Sequence, residues 1–215
     1  MGYLVNLTLK GRPAVVIGGG SVGARKVEGL LAAGATVTVV APDASAKIRS
    51  LASKGSLVGR WRRYRATDLN GAFLAIAATD DEPLNARIAR DAQARNILIN
   101  VVDRPRLCTF TVPATAHRGS LSFAVATDGL CPSLAGLLRK EILARYGPEY
   151  AELVTLFGKL RTQMIALGWG GRRIKNTLSE MYQGGIAGVI SAGDRRLLRE
   201  FLRTRLGSEF PWPLK

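Results

Sequence analysis

The stretch Ala14-Val-Val-Ile-Gly-Gly-Gly-Ser-Val-Gly23 decides the fold of this chain. Its first four residues form a continuous apolar run, which is typical of a strand buried on both faces of a parallel sheet. The run leads directly into Gly18-Gly19-Gly20-Ser21-Val22-Gly23, a match to the pattern G-x-G-x-x-G. Because a helical pattern follows, with apolar residues at Ala24, Val27 and Leu31, this stretch predicts the strand, turn and helix that open a Rossmann-type fold.

Each glycine of the pattern has a separate role in this interpretation. Gly18 permits the tight turn, Gly20 lets the backbone approach a pyrophosphate, and Gly23 lets the helix pack closely on the strand. The pyrophosphate then meets the free N–H groups and the positive end of the helix dipole. The glycine loop (Gly18–Gly23) is therefore a candidate dinucleotide site.

Asp43 supports that interpretation, because it follows a second predicted strand and lies 20 positions after Gly23. An acidic side chain there can accept hydrogen bonds from the adenosine ribose, which favours NAD over NADP. Arg25 and Lys26 lie near the loop and could offset the discrimination against a 2′-phosphate. We expect NAD as the cofactor.

The first hundred residues alternate between β-rich runs and helical patterns, which predicts a parallel sheet with helices on its faces. Beyond the first strand, we predict strands at 36–40, 57–61, 73–77 and 97–101, and helices at 21–33, 44–54 and 83–95.

After residue 102 the pattern changes, and residues 109–112 and 121–126 are predicted to be two strands joined by a turn at Arg118-Gly119. Pro132 suits the first position of a helix with an apolar face. Further helices are predicted at 149–166, 172–182 and 194–206, separated by Gly-rich stretches at 168–171 and 184–193.

Composition narrows the classes of protein that the chain can belong to. Apolar residues make up 47% and charged residues 22%, which is ordinary for a folded domain. No apolar run reaches the roughly 18 to 20 residues of a membrane span, and the N-terminus lacks the features of a secretory signal. We therefore expect a cytoplasmic protein without a membrane partner. Cys108 and Cys131 do not have a metal-ligand spacing, so we expect no resident metal.

The net charge is +15, and 23 of the 31 basic residues are arginines. The planar guanidinium suits carboxylates and phosphates. Three explanations stay open: a generally basic, solvated surface, a polyanionic small molecule, and nucleic acid.

Four sequence motifs follow one another along the chain in an order that is informative as a set. They are the glycine loop with Ala33-Gly34-Ala35, Ala75 to Asp81, Asn100-Val101-Val102-Asp103, and Phe110 to Ala114, continued by segments at 118–121, 127–129 and 132–135. Together they resemble the precorrin-2 dehydrogenase/sirohydrochlorin ferrochelatase family of siroheme biosynthesis. The resemblance covers about residues 3–145 well and the helical tail only loosely.

The resemblance implies an α/β fold with an N-terminal Rossmann-type parallel sheet, followed by a small α+β dimerisation region and a C-terminal helical domain. We assign these to residues 1–112, 113–147 and 148–215. It also implies a homodimer that oxidises precorrin-2 to sirohydrochlorin with NAD, and in bifunctional members inserts Fe²⁺ to give siroheme. A C-terminal methyltransferase domain, which some relatives carry, is not expected in this chain.

The resemblance further assigns roles to individual residues. Ser21 and Val22 match positions at the pyrophosphate, Pro42 and Asp43 match positions at the adenosine ribose, and Thr79 and Asp80 match positions facing the dinucleotide. Asp103 matches the proposed catalytic aspartate, and partial burial after its strand is expected to make it a better base.

On the substrate side, Thr127 falls where some members have a serine near the substrate pocket. Arg104 and Arg118 lie near these motifs and could hold carboxylates of the tetrapyrrole, whereas His117 is expected to be a surface residue. Cys131 departs from the family, which usually has a serine there, and a thiol is a poor helix cap.

Two alternatives stay open. In the first, the chain is an NAD-sensing regulatory module whose basic helix at 194–206 binds an acidic partner or nucleic acid, although no helix-turn-helix and no interleaved aromatics support nucleic acid. In the second, it is another NAD(P) oxidoreductase acting on a small substrate. The absence of a Tyr-x-x-x-Lys pair near the fourth and fifth strands argues against short-chain dehydrogenase chemistry.

Overall fold

The computed structural model describes residues 2–211, and the chain divides into two compact units, one up to Val112 and the other from Pro113 onward. The first unit contains a five-stranded parallel sheet in the order β3-β2-β1-β4-β5. Its strands are β1 Pro13–Ile17, β2 Thr36–Val40, β3 Val58–Arg60, β4 Leu74–Ala77 and β5 Leu98–Val101. The expected α/β fold with an N-terminal parallel sheet is confirmed.

Three helices connect these strands, namely α1 Ser21–Ala32, α2 Ala46–Ser53 and α3 Glu82–Gln93, with single 3-10 turns at Ala66–Leu69 and Pro105–Leu107. Alternate side chains of β1 enter the two cores on opposite faces of the sheet. Val15 and Ile17 belong to the core that contains residues of α3. Ala14 and Val16 belong to the core that contains residues of α1 and α2. Burial on both faces explains why the strands read as continuous apolar runs.

The register of the sheet brings the loops of the site to one edge. Ile17 is paired with Val40 of β2 and with Ala77 of β4, and Ala77 is paired with Val101 of β5. The carboxyl ends of these four strands therefore lie level. The strand order reverses between β1 and β4, which is where open α/β sheets bind their ligands.

Within residues 113–211, the second unit contains an antiparallel hairpin and five helices. They are β6 Ala114–Arg118, β7 Leu121–Val125, α4 Pro132–Arg145, α5 Glu149–Ala166, α6 Gly171–Gln183, α7 Ile186–Ser191 and α8 Arg195–Leu206. The helices α5 to α8 enclose an apolar core whose largest fully buried members are Leu160, Met164, Met181, Ile186 and Leu202. No helix within residues 2–211 is long and apolar enough to cross a membrane.

The strand predicted at 109–112 is wrong. The N–H of Thr109 donates to Ile99 O (2.9 Å) and its Oγ1 accepts from Ile99 N (2.8 Å), so this segment is tied beside β5 of the first unit. The left-handed Gly119 (φ +57°) forms the turn that pairs Arg118 with Leu121. The register that follows makes β6, and not residues 109–112, the partner of β7.

The Gly-rich stretch at 184–193 was expected only to separate helices, and it contains the short helix α7. Gly185 and Gly193 both have positive φ and bracket that helix, while Ile186 and Ile190 point into the core. Two buried isoleucines four positions apart are a helical signal that the surrounding glycines obscure.

Candidate dinucleotide-binding and active site

The glycine loop is shaped by close backbone approaches. Gly18 has φ +118°, and a Cβ there would overlap the carbonyl oxygen of Ala78, which follows β4. A Cβ on Gly19 would overlap the carbonyl oxygen of Asp43, and a Cβ on Gly23 would overlap that of Gly18. The loop is thus held between the segments that follow β2 and β4, and these three positions accept only glycine without rearrangement.

Gly20 differs from its neighbours, because a Cβ built on it would meet no atom of the described residues within 4 Å, apart from those of the adjacent residues. Gly20 is the N-cap of α1. The hydrogen bonds of this helix begin with Ala24 N, which donates to Gly20 O (3.0 Å). The first turn of α1 carries no acidic residue. Free N–H groups at the positive end of a helix, with open space beside the backbone, suit a pyrophosphate. The residues present fit the dinucleotide that the sequence predicts.

Thr79 is held by a residue that the sequence analysis missed. Asn85 of α3 is only 5% exposed, and its Nδ2 donates to the carbonyl oxygen of Thr79 (2.8 Å) while its Oδ1 accepts from Thr79 Oγ1 (2.8 Å). Asp80 follows in the same loop and is exposed. The signal in the sequence is that an asparagine occupies the inward stripe that Ile88 and Ala92 continue.

Pro42 and Asp43 are both exposed beyond the end of β2, and the Asp43 side chain is engaged on one oxygen. Its Oδ1 accepts from Ala44 N (2.8 Å) and from Arg49 Nη2 (2.8 Å). The bond from Arg49 lowers the pKa of Asp43, so the side chain stays an ionised acceptor at neutral pH. Oδ2 has no hydrogen-bond partner among residues 2–211 and is free for a ribose hydroxyl.

Asp103 follows β5 and has a left-handed backbone, with φ +58°. The partial burial expected for it is wrong, because the residue is exposed. The neighbouring Cys108 ties its loop down. Cys108 Sγ accepts from Val101 N (3.1 Å) and lies 3.3 Å from Val101 O and 3.4 Å from Arg104 O, either of which can accept its proton. The carboxylate is therefore solvent-accessible on a loop that is held at its base.

Lys26 of α1 interacts electrostatically with Asp103. The residue is half-buried, and burial together with Arg25 lowers its pKa, while Asp103 and Cys108 act in the opposite direction. The sequence analysis considered Lys26 only as a counter-charge for a 2′-phosphate. The structure adds its electrostatic interaction with Asp103, which the sequence did not indicate.

The two arginines predicted to bind substrate have partners in the structure. Arg104 forms an ion pair with Glu82 at the start of α3. Arg118 donates from Nε to Tyr146 O (2.8 Å) and from Nη2 to Leu143 O (2.8 Å), so it caps the carbonyl groups at the end of α4. Their assignment as substrate ligands stays a prediction.

Thr127 and Cys131 lie on the loop that precedes α4. Thr127 Oγ1 accepts from Cys131 N (3.3 Å), and Cys131 is the N-cap of α4 without a capping bond from its side chain. Instead Cys131 Sγ lies 3.4 Å from Ser133 Oγ, a contact that lowers the pKa of the thiol. His117 is exposed, and its Nδ1 lies 3.0 Å from Ser122 Oγ across the hairpin.

Within the first unit, the structure brings the predicted residues to one edge of the sheet. The glycine loop follows β1, Pro42 and Asp43 follow β2, Thr79 and Asp80 follow β4, and Asp103 follows β5. Thr127 and Arg118 belong to the second unit. No group of three or more His, Cys, Asp or Glu side chains in the described part of the chain could hold a metal ion.

The strand order, the glycine loop and the open N-terminus of α1 define a Rossmann-type dinucleotide-binding protein. Residues 5–114 match a family model described as putative NAD(P)-binding. The chain belongs to this family.

Relatives and solved structures extend the likeness beyond the first unit. The siroheme synthase of Ectopseudomonas mendocina is 39% identical over 203 residues, which cover 94% of this chain and 44% of the relative. That of Methylobacillus flagellatus is 35% identical over 197 residues, 92% of this chain and 42% of the relative. The chain therefore spans less than half the length of these curated relatives.

A solved structure of SirC, a precorrin-2 dehydrogenase, has a TM-score of 0.77 and 29% identity, and the match covers 94% of this chain and 98% of SirC. These likenesses confirm the resemblance to the precorrin-2 dehydrogenase family that the ordered motifs indicated.

Proposed function

We propose that this protein oxidises precorrin-2 to sirohydrochlorin with NAD, a step of siroheme biosynthesis. The observation that carries the proposal is the glycine loop, where Gly20 is open beside the free N-terminus of α1. The likeness to SirC, which extends over nearly the whole of both chains, supports the choice of substrate.

The edge of the sheet provides a separate group for each part of the dinucleotide. The N–H groups of Ser21 and Val22 would bind the pyrophosphate, and the free Oδ2 of Asp43 would accept from the adenosine ribose. Thr79, fixed by Asn85, would contact the dinucleotide next to the point where the strand order reverses. An ionised Asp43 favours the unphosphorylated ribose of NAD.

The chemistry requires a hydride acceptor and a base. When bound, the nicotinamide supplies the hydride acceptor. Asp103 would take the proton that leaves the tetrapyrrole, since it is a solvent-accessible carboxylate beyond the adjacent strand. Lys26 would lie near enough to Asp103 to interact with its charge as the proton arrives.

Precorrin-2 is a polycarboxylate. The chain has 31 basic and 16 acidic residues, and the resulting net charge of +15 would attract this substrate. In the structure Arg104 is paired with Glu82, so it would bind a substrate carboxylate by exchanging that partner. Thr127, on the loop before α4 of the second unit, stays a predicted substrate residue. Insertion of Fe²⁺ as a second substrate belongs to this proposal as a separate step.

A homodimer forms part of the proposal because α4, which contacts β6 and β7 of its own unit, keeps three leucines exposed among the described residues. Only Ala135 of this helix is buried, whereas Leu134, Leu137 and Leu138 are exposed by 46%, 56% and 37%. Adjacent exposed leucines on one helix are typical of an interface. A second copy of the chain would cover them.

We expect Leu137→Glu to convert the dimer into a monomer, because a carboxylate at the centre of an apolar interface loses its hydration without gaining a partner. Sedimentation equilibrium of the wild type and the variant measures this directly. Leu167→Glu is the matched control, since Leu167 is equally exposed (51%) just beyond α5 and should leave the mass unchanged. A monomeric wild type would contradict the proposal.

The function is tested by mixing the protein anaerobically with precorrin-2 and NAD⁺, and by following the tetrapyrrole spectrum together with NADH absorbance. We expect equal amounts of sirohydrochlorin and NADH. Adding Fe²⁺ afterwards tests for siroheme formation. A protein that binds the dinucleotide but does not oxidise precorrin-2 would overturn the proposal and favour an NAD-sensing module.

A further inference from the structure

Arg49 is anchored at the point where the adenosine end of the dinucleotide would lie. Its Nη2 donates to Asp43 Oδ1 (2.8 Å), its Nε donates to Ala44 O (3.0 Å), and its guanidinium lies 5.3 Å from the centre of the Trp61 ring. Three anchors on one side chain fix a planar cation next to the carboxylate that reads the ribose.

The anchors leave part of the guanidinium available. Arg49 Nη1 donates no hydrogen bond to any of residues 2–211, and half of the Arg49 side chain is exposed. Arginine donors in a fixed plane suit phosphate oxygens. A phosphate placed beside Asp43 would therefore meet a cation as well as an anion.

The pairing also changes what Asp43 can do. An unpaired aspartate rejects a 2′-phosphate through its negative charge and through both of its oxygens. Here Asp43 Oδ1 accepts from both Arg49 and Ala44. The positive charge of Arg49 also offsets the negative charge of the carboxylate. The other oxygen remains enough to bind a ribose hydroxyl.

We infer that Arg49 is a specificity-determining residue that lets the site accept a dinucleotide with a 2′-phosphate as well as NAD. This inference rests on the proposed dinucleotide site and extends it, because Asp43 alone predicts strict use of NAD. The wild type should bind NAD⁺ and NADP⁺ with affinities that differ by less than about tenfold.

The test is calorimetric titration of the whole protein with NAD⁺ and with NADP⁺ at low ionic strength, where charge effects are least screened. Arg49→Ala should weaken NADP⁺ binding by at least about fivefold, the factor for one unit-charge interaction at about 4 Å in water. The same variant should change NAD⁺ binding by less than about twofold. Asp43→Asn should shift the ratio the other way, in favour of NADP⁺.

Lys47→Ala is the matched control, because it removes the same charge from the same helix. Lys47 pairs with Glu28 (2.5 Å) and does not contact Asp43, so the ratio of the two affinities should not change. If Arg49→Ala weakened the binding of both dinucleotides equally, or of neither, the inference would be overturned while the dinucleotide site would remain supported. Failure of the wild type to bind either dinucleotide would overturn the proposed function together with it.

Discussion

Replacing Asp103 with asparagine is expected to lower kcat for the oxidation of precorrin-2 by about 100-fold or more, the usual contribution of a positioned base. Asparagine is the informative replacement because Asp103 has φ +58°, and asparagine tolerates this left-handed backbone better than alanine does. The variant thus removes the charge and the proton acceptor while keeping the shape of the loop. Stopped-flow measurement of NADH formation under anaerobic conditions gives the rate.

The Kd of NAD⁺ should stay within about twofold, because Asp103 follows β5 and the pyrophosphate site follows β1. Asp194→Asn is a control that removes one carboxylate and keeps a good helix cap at the start of α8, so its kcat should equal that of the wild type. An Asp103→Asn variant with wild-type kcat would show that another group accepts the proton.

Replacing Asp68 with alanine is expected to lower the free energy of unfolding by about 3 kcal/mol, the lower end for breaking a buried ion pair. The Asp68 side chain has no exposed area and accepts from Arg60 (2.8 Å), from both Nη atoms of Arg62 (2.6 and 2.8 Å) and from Arg65 N (2.8 Å). The loss is at the lower end because the side chains of Arg60 and Arg62 are 43% and 35% exposed and can turn to water.

The pH dependence has a definite sign. The bonds from Arg62 lower the pKa of Asp68 in the folded protein below the value of about 3.9 in an unfolded chain. The stabilisation is therefore complete above about pH 4 and is lost as the pH falls towards the folded pKa. Urea unfolding at pH 7 and at pH 3 should show a smaller difference between wild type and Asp68→Ala at the lower pH.

Glu28→Ala is the control for that measurement, because it breaks the exposed ion pair with Lys47, whose side chains are 46% and 58% exposed. Its unfolding free energy should change by less than about 1 kcal/mol. If Asp68→Ala were as stable as Glu28→Ala, the buried network would not stabilise the fold.

The sequence predicts the fold and the core of the site because their signals are local. The apolar run at Ala14 to Ile17, the glycines after it and the helical stripe beyond them act within a few residues of one another. Asp43 and Asp103 could be placed for the same reason, since they lie three and two positions beyond the ends of β2 and β5.

What the sequence did not reveal depends on contacts between segments. Asn85 reaches back to Thr79, Cys108 bonds to the backbone at Val101, and Arg49 pairs with Asp43. Each of these side chains lies six or seven positions from its partner, at a spacing that no regular helix or strand brings together. Asp103 likewise is exposed and has a left-handed backbone (φ +58°), which the strand pattern does not encode.

The account depends most directly on the open face of Gly20, and Gly20→Ala tests it. Apart from its chain neighbours, the new methyl group would meet no atom of residues 2–211 within 4 Å, so the fold should be retained, whereas the space for the pyrophosphate would be filled. Gly29→Ala is the matched control, because Gly29 lies on the same helix with the same open surroundings. We predict that calorimetric titration gives at least about a tenfold weaker Kd for NAD⁺ in Gly20→Ala and an unchanged Kd in Gly29→Ala. Wild-type affinity in a folded Gly20→Ala variant would contradict the placement of the dinucleotide at this loop.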